Sequence, residues 1–147
     1  LAPTFAHMVA LETAVAVDNA DLGALGYLTN AAVRGKLKVT EKASSTAQFV
    51  WGDGSEQGFG TINGYRAGAS NQVSSTLTKG TSSGVCSAVF FGNWADLLVG
   101  EWGAMGILVD PYAKKKQGLV EVTSFCMADI AVRHAQSFAA MKDALTT

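Results

Sequence analysis

From Leu119 to Arg133 the side chains alternate in strand period, and this run constrains the fold more than any other. Val120, Val122, Ser124, Cys126, Ala128, Ile130 and Val132 fall on one face. Leu119, Glu121, Thr123, Phe125, Met127, Asp129, Ala131 and Arg133 fall on the other. Successive strand side chains point to opposite faces, so a clean face backed by a mixed one predicts a long antiparallel strand with one well-packed side. Two upstream runs read as further strands. "VCSAVFFG" is apolar enough to be buried, and "MGILVD", which follows "WADLLVGEWG", is stopped by Pro111, which lacks an N–H.

Earlier segments have a different texture. "APTFAHMVALETAVAVDNADLG" reads as a helix, with Pro3 in the first turn and Asp18, Asn19 and Gly23 as stop signals. "ALGYLTN" reads as a short strand ending at Asn30, and "AAVRGKLKVT" as a second helix weakened at Gly35. From residue 43 Gly, Ser and Thr dominate, yet Phe49, Trp51, Phe59, Ile62, Tyr65 and Val73 recur, which predicts β-structure with long loops rather than disorder. Asn63-Gly64 is a strong turn signal, and Ser74 to Gly84 reads as a mobile surface loop. The closing "AQSFAAMKDALTT" reads as a short helix or tail. Helices first and strands later give an α+β class.

Composition narrows the range of functions. A chain of 147 residues fits one domain or two small ones packed together. It is 48% hydrophobic and only 16% charged, against about 25% charged in ordinary soluble domains, so some apolar surface is expected to face partner subunits. A net charge of −1 provides no basic field for nucleic-acid backbones. Lys114, Lys115 and Lys116 read as a solvated turn. No apolar run approaches the roughly 20 residues that span a membrane. The chain begins with Leu1, without the layout of a signal peptide, which suggests a processed or trimmed chain. Cys86 and Cys126 sit in apolar runs and are expected to be two buried thiols.

Catalytic patterns are sparse. His7 has no ligand or base partner at helical spacing, and His134 could pair with Asp129 as an ordinary ion pair. No zinc-ligand spacing and no G-x-S-x-G elbow occur, so no metal or cofactor is expected. The stretch "DGSEQGFGTING" starts like a calcium loop at Asp53, Ser55, Gln57 and Gly58 but has Gly64 where a bidentate Glu is required. Glu101 beside Trp102 is the most suggestive acid, yet no spacing brings Asp96 or Asp110 into register with it. A structural Glu is the better reading, and no enzymatic site is expected.

The order of the pieces carries more information than any one of them. Gly92, Asn93 and Trp94 are followed by a bend from Gly100 through Trp102 to Gly103, a strand from Ile107 to Asp110, and a closing element at Val132, Arg133, His134, Ser137 and Phe138. Upstream, "LGYLTNAAVRGKLK" and the Gly64, Tyr65, Ser70, Asn71 segment complete the series. This arrangement resembles the C-terminal half of tailed-phage major capsid proteins of the Hong Kong 97-type fold, over roughly Met8 to Met141. The fold-signature positions are Gly64, Tyr65, Gly92, Asn93, Trp94, Gly100, Trp102, Gly103, Asp110, Arg133, His134 and Phe138.

The resemblance implies an axial domain over residues 20–110 containing the long loop 74–84. Residues 1–19 would be a peripheral-domain helix, and residues 111–147 a peripheral-domain long strand and tail. It implies a subunit that meets copies of itself in five-fold and six-fold capsomers of an icosahedral shell around double-stranded DNA. Such a subunit would be assembled in the bacterial cytoplasm and located in the virion of a phage or prophage, with no membrane partner. Relative to that family the chain looks like a fragment without the N-terminal arm, the extended loop and most of the long helix. In this reading the indoles of Trp94 and Trp102 fill space between layers. Two alternatives remain open: an encapsulin-type compartment shell, and a carbohydrate-binding module using exposed Trp51, Trp94 or Trp102.

Overall fold

A computed structural model of the chain describes residues 2–54, 56 and 58–146. It divides into two compact units, Leu1–Asp96 with His134–Thr147, and Leu97–Arg133.

The first unit begins with α1 (Phe5–Val17), entered through Thr4 in extended conformation. His7 Nδ1 accepts the Thr4 N–H at 3.1 Å and so occupies an orphan donor of the helix start. Met8, Leu11 and Val15 form the buried stripe of α1. After β1 (Leu25–Thr29), Asn30 caps α2 (Ala31–Val39) by accepting from the Val33 N–H at 2.9 Å. The Gly-rich segment then yields β2 (Gly52–Asp53), β3 (Phe59–Ile62), β4 (Tyr65–Ala69) and β5 (Leu77–Lys79), followed by β6 (Ser82–Asn93). Asn63 and Gly64 both have positive φ, 51° and 84°, which is the two-residue turn that joins β3 to β4.

Ser74 to Gly84 is not wholly a loop. Leu77 pairs with Cys86 and Lys79 with Ser82, so most of it is a short hairpin turning at Gly80. The closing segment departs further from expectation. Residues Phe138–Leu145 form strand β9, numbered after the hairpin strands described below, and not a helix or tail. It pairs antiparallel with β6 from Cys86↔Leu145 to Gly92↔Phe138. An unpaired flank of β6 offers a ladder of backbone bonds, and that tertiary pairing outweighs the helix preference of Ala, Met and Lys.

The sheet runs β2-β3-β4-β1-β6-β5, with β9 on β6; β1 is parallel to β4 and antiparallel to β6. Its core joins Met8, Leu11 and Val15 to Val33, Leu37, Ile62, Val89 and Phe91. The Phe91 ring centre lies 4.5 Å from that of Tyr27 and 5.2 Å from that of Tyr65. Cys86 is buried here as expected.

The second unit is a single hairpin, β7 (Leu97–Asp110) and β8 (Glu121–Val132). "WADLLVGEWG" and "MGILVD" therefore do not form separate pieces: after a 3-10 turn at Trp94–Asp96 one strand runs throughout, with a bulge between Trp102 and Gly106 where Gly103 has φ 78°. The lysines lie at the exposed turn, and Lys114 pairs with Glu121 at 3.4 Å. Cross-strand pairing places Leu97, Val99, Ile107, Val122, Ile130 and Val132 on one face, the clean face read from the sequence. That face is not packed: Val122 and Ile130 are both 63% exposed. Cys126 lies on the same strand and is exposed, contrary to the expectation of two buried thiols. A two-stranded sheet supplies no second layer of its own to cover either face. The sequence-based boundary at residue 110 falls inside this hairpin, between its two strands.

Candidate functional site: the joint between two ladders

Two runs of signature residues meet where β6 ends and β9 begins. Gly92 pairs with Phe138, and a Cβ at Gly92 would collide with the Phe138 ring and the Ser137 carbonyl, so this close approach requires glycine. Next, Asn93 turns the chain. Its Oδ1 accepts from the Ala24 N–H at 3.0 Å and the Ala95 N–H at 3.2 Å, and its Nδ2 donates to Asp96 Oδ2 at 3.1 Å. Trp94 is half-buried and fastened at two points. Its backbone N–H donates to the Ala24 carbonyl at 2.9 Å, and its indole Nε1–H to the Gly26 carbonyl at 3.1 Å. Its ring stands edge-on to Phe138, 5.6 Å between centres.

From the returning chain comes Ser137, buried, with its Oγ donating to Asp96 Oδ2 at 2.6 Å. His134 Nδ1 lies 3.1 Å from the same Oγ, in place of the expected pairing with Asp129. Asp129 Oδ1 instead accepts from the Ile130 N–H at 2.8 Å. A serine hydroxyl has one hydrogen. Because Ser137 gives it to the carboxylate, Ser137 only accepts from His134, whose Nδ1 must carry the proton. A nucleophilic triad needs the reverse: an unprotonated imidazole nitrogen facing the serine and the carboxylate behind the imidazole. Asp96, Ser137 and His134 have the residue types of a triad in an order that cannot activate the serine.

A second polar cluster ties α1 to the β3–β4 turn. The Glu12 carboxylate accepts from Asn63 Nδ2 and from Tyr65 Oη, the latter at 3.1 Å. The bond to Glu12, then burial, raises the Tyr65 phenol above its ordinary value. Tyr27, whose Oη donates to the Met8 carbonyl at 2.9 Å, is raised mainly by burial and then by the Glu12 charge.

Gly100, Trp102, Gly103 and Asp110 all belong to the hairpin, and Arg133 directly follows it. Trp102 is 57% exposed and fills no interlayer space, which corrects the expectation for that indole, while Trp51 is buried. Glu101 is exposed on β7. Asp110 Oδ1 accepts from the Tyr112 N–H at 2.7 Å and begins the turn. Among the described residues no group of three or more His, Cys, Asp or Glu could hold a metal ion. Ser55 and Gln57 of the calcium-like stretch lie outside the described residues. Among the described residues no helix is long and apolar enough to cross a membrane. An open groove of about 450 Å³ on the sheet of the first unit is lined by Gly26, Leu28, Phe59, Arg66, Gly68 and Trp94.

Sequence reasoning missed Asp96 and Glu12 as organising residues. Nothing local to Asp96 signals a bond to a serine 41 positions away.

The chain is 31% identical over 130 residues to the major capsid protein of Halomonas phage phiHAP-1, across 88% of this chain and 19% of that protein. It thus spans about a fifth of the length of that curated relative. A solved structure described as the capsid of an empty GTA particle computed with C5 symmetry matches with a TM-score of 0.58 at 18% identity. That match covers 88% of this chain and 44% of that one, and it supports the mixed helix-and-sheet capsid fold. The Phage capsid family model matches residues 2–143, so the chain belongs to the phage capsid family.

Proposed function

We propose that this chain is part of a major capsid subunit of a tailed phage or prophage, and that it acts by assembling with copies of itself into five-fold and six-fold capsomers. The shell so formed encloses double-stranded DNA, is completed in the bacterial cytoplasm and places the protein in the virion. Its role is structural and not enzymatic. The observation that carries this reading is where the apolar side chains lie. Trp102, Leu108, Phe125 and Met127 are each more than half exposed on one face of the hairpin, and Val99, Ile107, Val122 and Ile130 on the other. A contiguous apolar surface of that kind marks a protein–protein contact. The inverted Asp96–Ser137–His134 order supports the structural role as well. In this reading residues 20–110 provide axial-domain surface, and residues 1–19 and 111–147 provide peripheral-domain material.

Light scattering across a concentration series, with negative-stain images of each fraction, tests the proposal. Five- or six-membered rings or curved sheets are expected. A monomer at every concentration would contradict the claim that this chain carries association surfaces.

A further inference from the structure

Strand β6 continues into β7, and β8 continues into β9, so the same two stretches of chain are paired twice. The first ladder ends at Gly92↔Phe138 and the second starts at Leu97↔Val132. Between them the ladder is interrupted. Asn93–Asp96 on one stretch faces Arg133–Ser137 on the other, four residues against five, and each stretch contains a 3-10 turn. An offset of one residue is enough to exchange the two faces of a strand pair, so the gap resets the pairing register.

Among the described residues no ladder pairing bridges this gap; a side-chain bond does. Ser137 Oγ joins the returning stretch to Asp96 on the departing one, with His134 behind the serine and Asn93 beside the carboxylate. We infer that Asp96, Ser137 and His134 form a clasp that closes the open end of the hairpin, with Ser137 as its positioning residue. A hairpin of two strands is marginal in water, and bringing its strands together costs chain entropy. The turn at Lys115–Gln117 meets that cost at one end, and the clasp meets it at the other. The inference does not depend on the assembly reading, because it concerns pairing within one chain.

Two measurements on the full chain test it. Nitrogen-15 shifts of the His134 ring, taken where the ring is neutral, should report the proton on Nδ1, and Ser137→Ala should abolish that preference. Hydrogen exchange should be slowest at the hairpin base, Leu97–Val99 and Ile130–Val132, and faster toward the tip. Ser137→Ala should speed exchange at the base about tenfold, the scale of a lost hydrogen bond to a charged group, with Tyr27 and Phe91 changed less than about twofold. Asp96→Asn keeps the shape and removes the charge, so it should give a smaller change at the same amides, and it decides the matter should Ser137→Ala fail to fold. The double variant should be no looser at the base than Ser137→Ala alone, since one bond is lost in both. A proton on Nε2, an unchanged base in both single variants, or acceleration spread evenly through the first unit would overturn the proposal.

Discussion

Val89 and Phe91 on β6 are fully buried, while Val122 and Ile130 on β8 are 63% exposed, although all four occupy apolar strand runs. The first strand sits in a sheet covered by α1 and α2, and three other strands pair with it. The second has one partner strand and no layer of its own above or below. The two regions use the same kind of residues for opposite ends. In the first unit apolar side chains hold one chain together; in the hairpin they remain exposed. Burial of a side chain such as Phe91 is worth about 1.5–3 kcal/mol, which the exposed side chains of the hairpin do not gain within it.

This contrast can be broken by substitution. Phe91→Ala leaves a cavity among Tyr27, Tyr65 and the helices, and a loss of about 3–5 kcal/mol is expected in urea denaturation. Phe125→Ala on the hairpin is expected to leave the unfolding midpoint of the first unit unchanged and to weaken association in light scattering. Equal effects of the two would erase the distinction between the regions.

Alkaline titration sharpens the contrast next. Tyr27 and Tyr65 have phenols raised above their ordinary value of about 10, so their contribution is complete below that pH and is lost as pH rises through the folded-state values. The phenolate of Tyr27 would face the Met8 carbonyl, and that of Tyr65 the Glu12 carboxylate. Chemical denaturation from pH 8 to 11 should show stability falling above about pH 10. Tyr65→Phe should flatten part of that fall.

Smaller effects are expected to stabilise. Ser87 Oγ is buried with no hydrogen-bond partner among the described residues, so Ser87→Ala should raise stability by up to about 1 kcal/mol. Gly35 lies within α2, and a Cβ there would meet nothing within 4 Å. Gly35→Ala should therefore add about 1 kcal/mol in thermal unfolding, and a loss would mean the α2 surface is not free.

The elements that could be read from sequence were those set by local chemistry. The α1 helix, the strand ending at Asn30, the Asn63-Gly64 turn and the shared face of β8 all depend on residues near one another in the chain. Strand β9 could not be read this way, because its Ala, Met and Lys favour helix until β6 offers its flank. Alternation in β8 told which side chains share a face, but not whether anything covers them, hence the misplaced Cys126 and Trp102. At the joint, Gly92, Asn93, Trp94, His134 and Phe138 were singled out through family resemblance. Their convergence, and the part played by Asp96, depend on pairing between distant strands that no local pattern encodes.

The two cysteines provide the most direct test, because Cys86 lies in the first unit and Cys126 on the hairpin. Thiol labelling would be followed in the dilute chain and in the rings or sheets formed at high concentration. Cys86 is expected to resist labelling in both, while Cys126 reacts rapidly when dilute and becomes protected on assembly. Labelling of Cys126 at the same rate in both states would contradict the claim that the hairpin face is the surface that assembly covers.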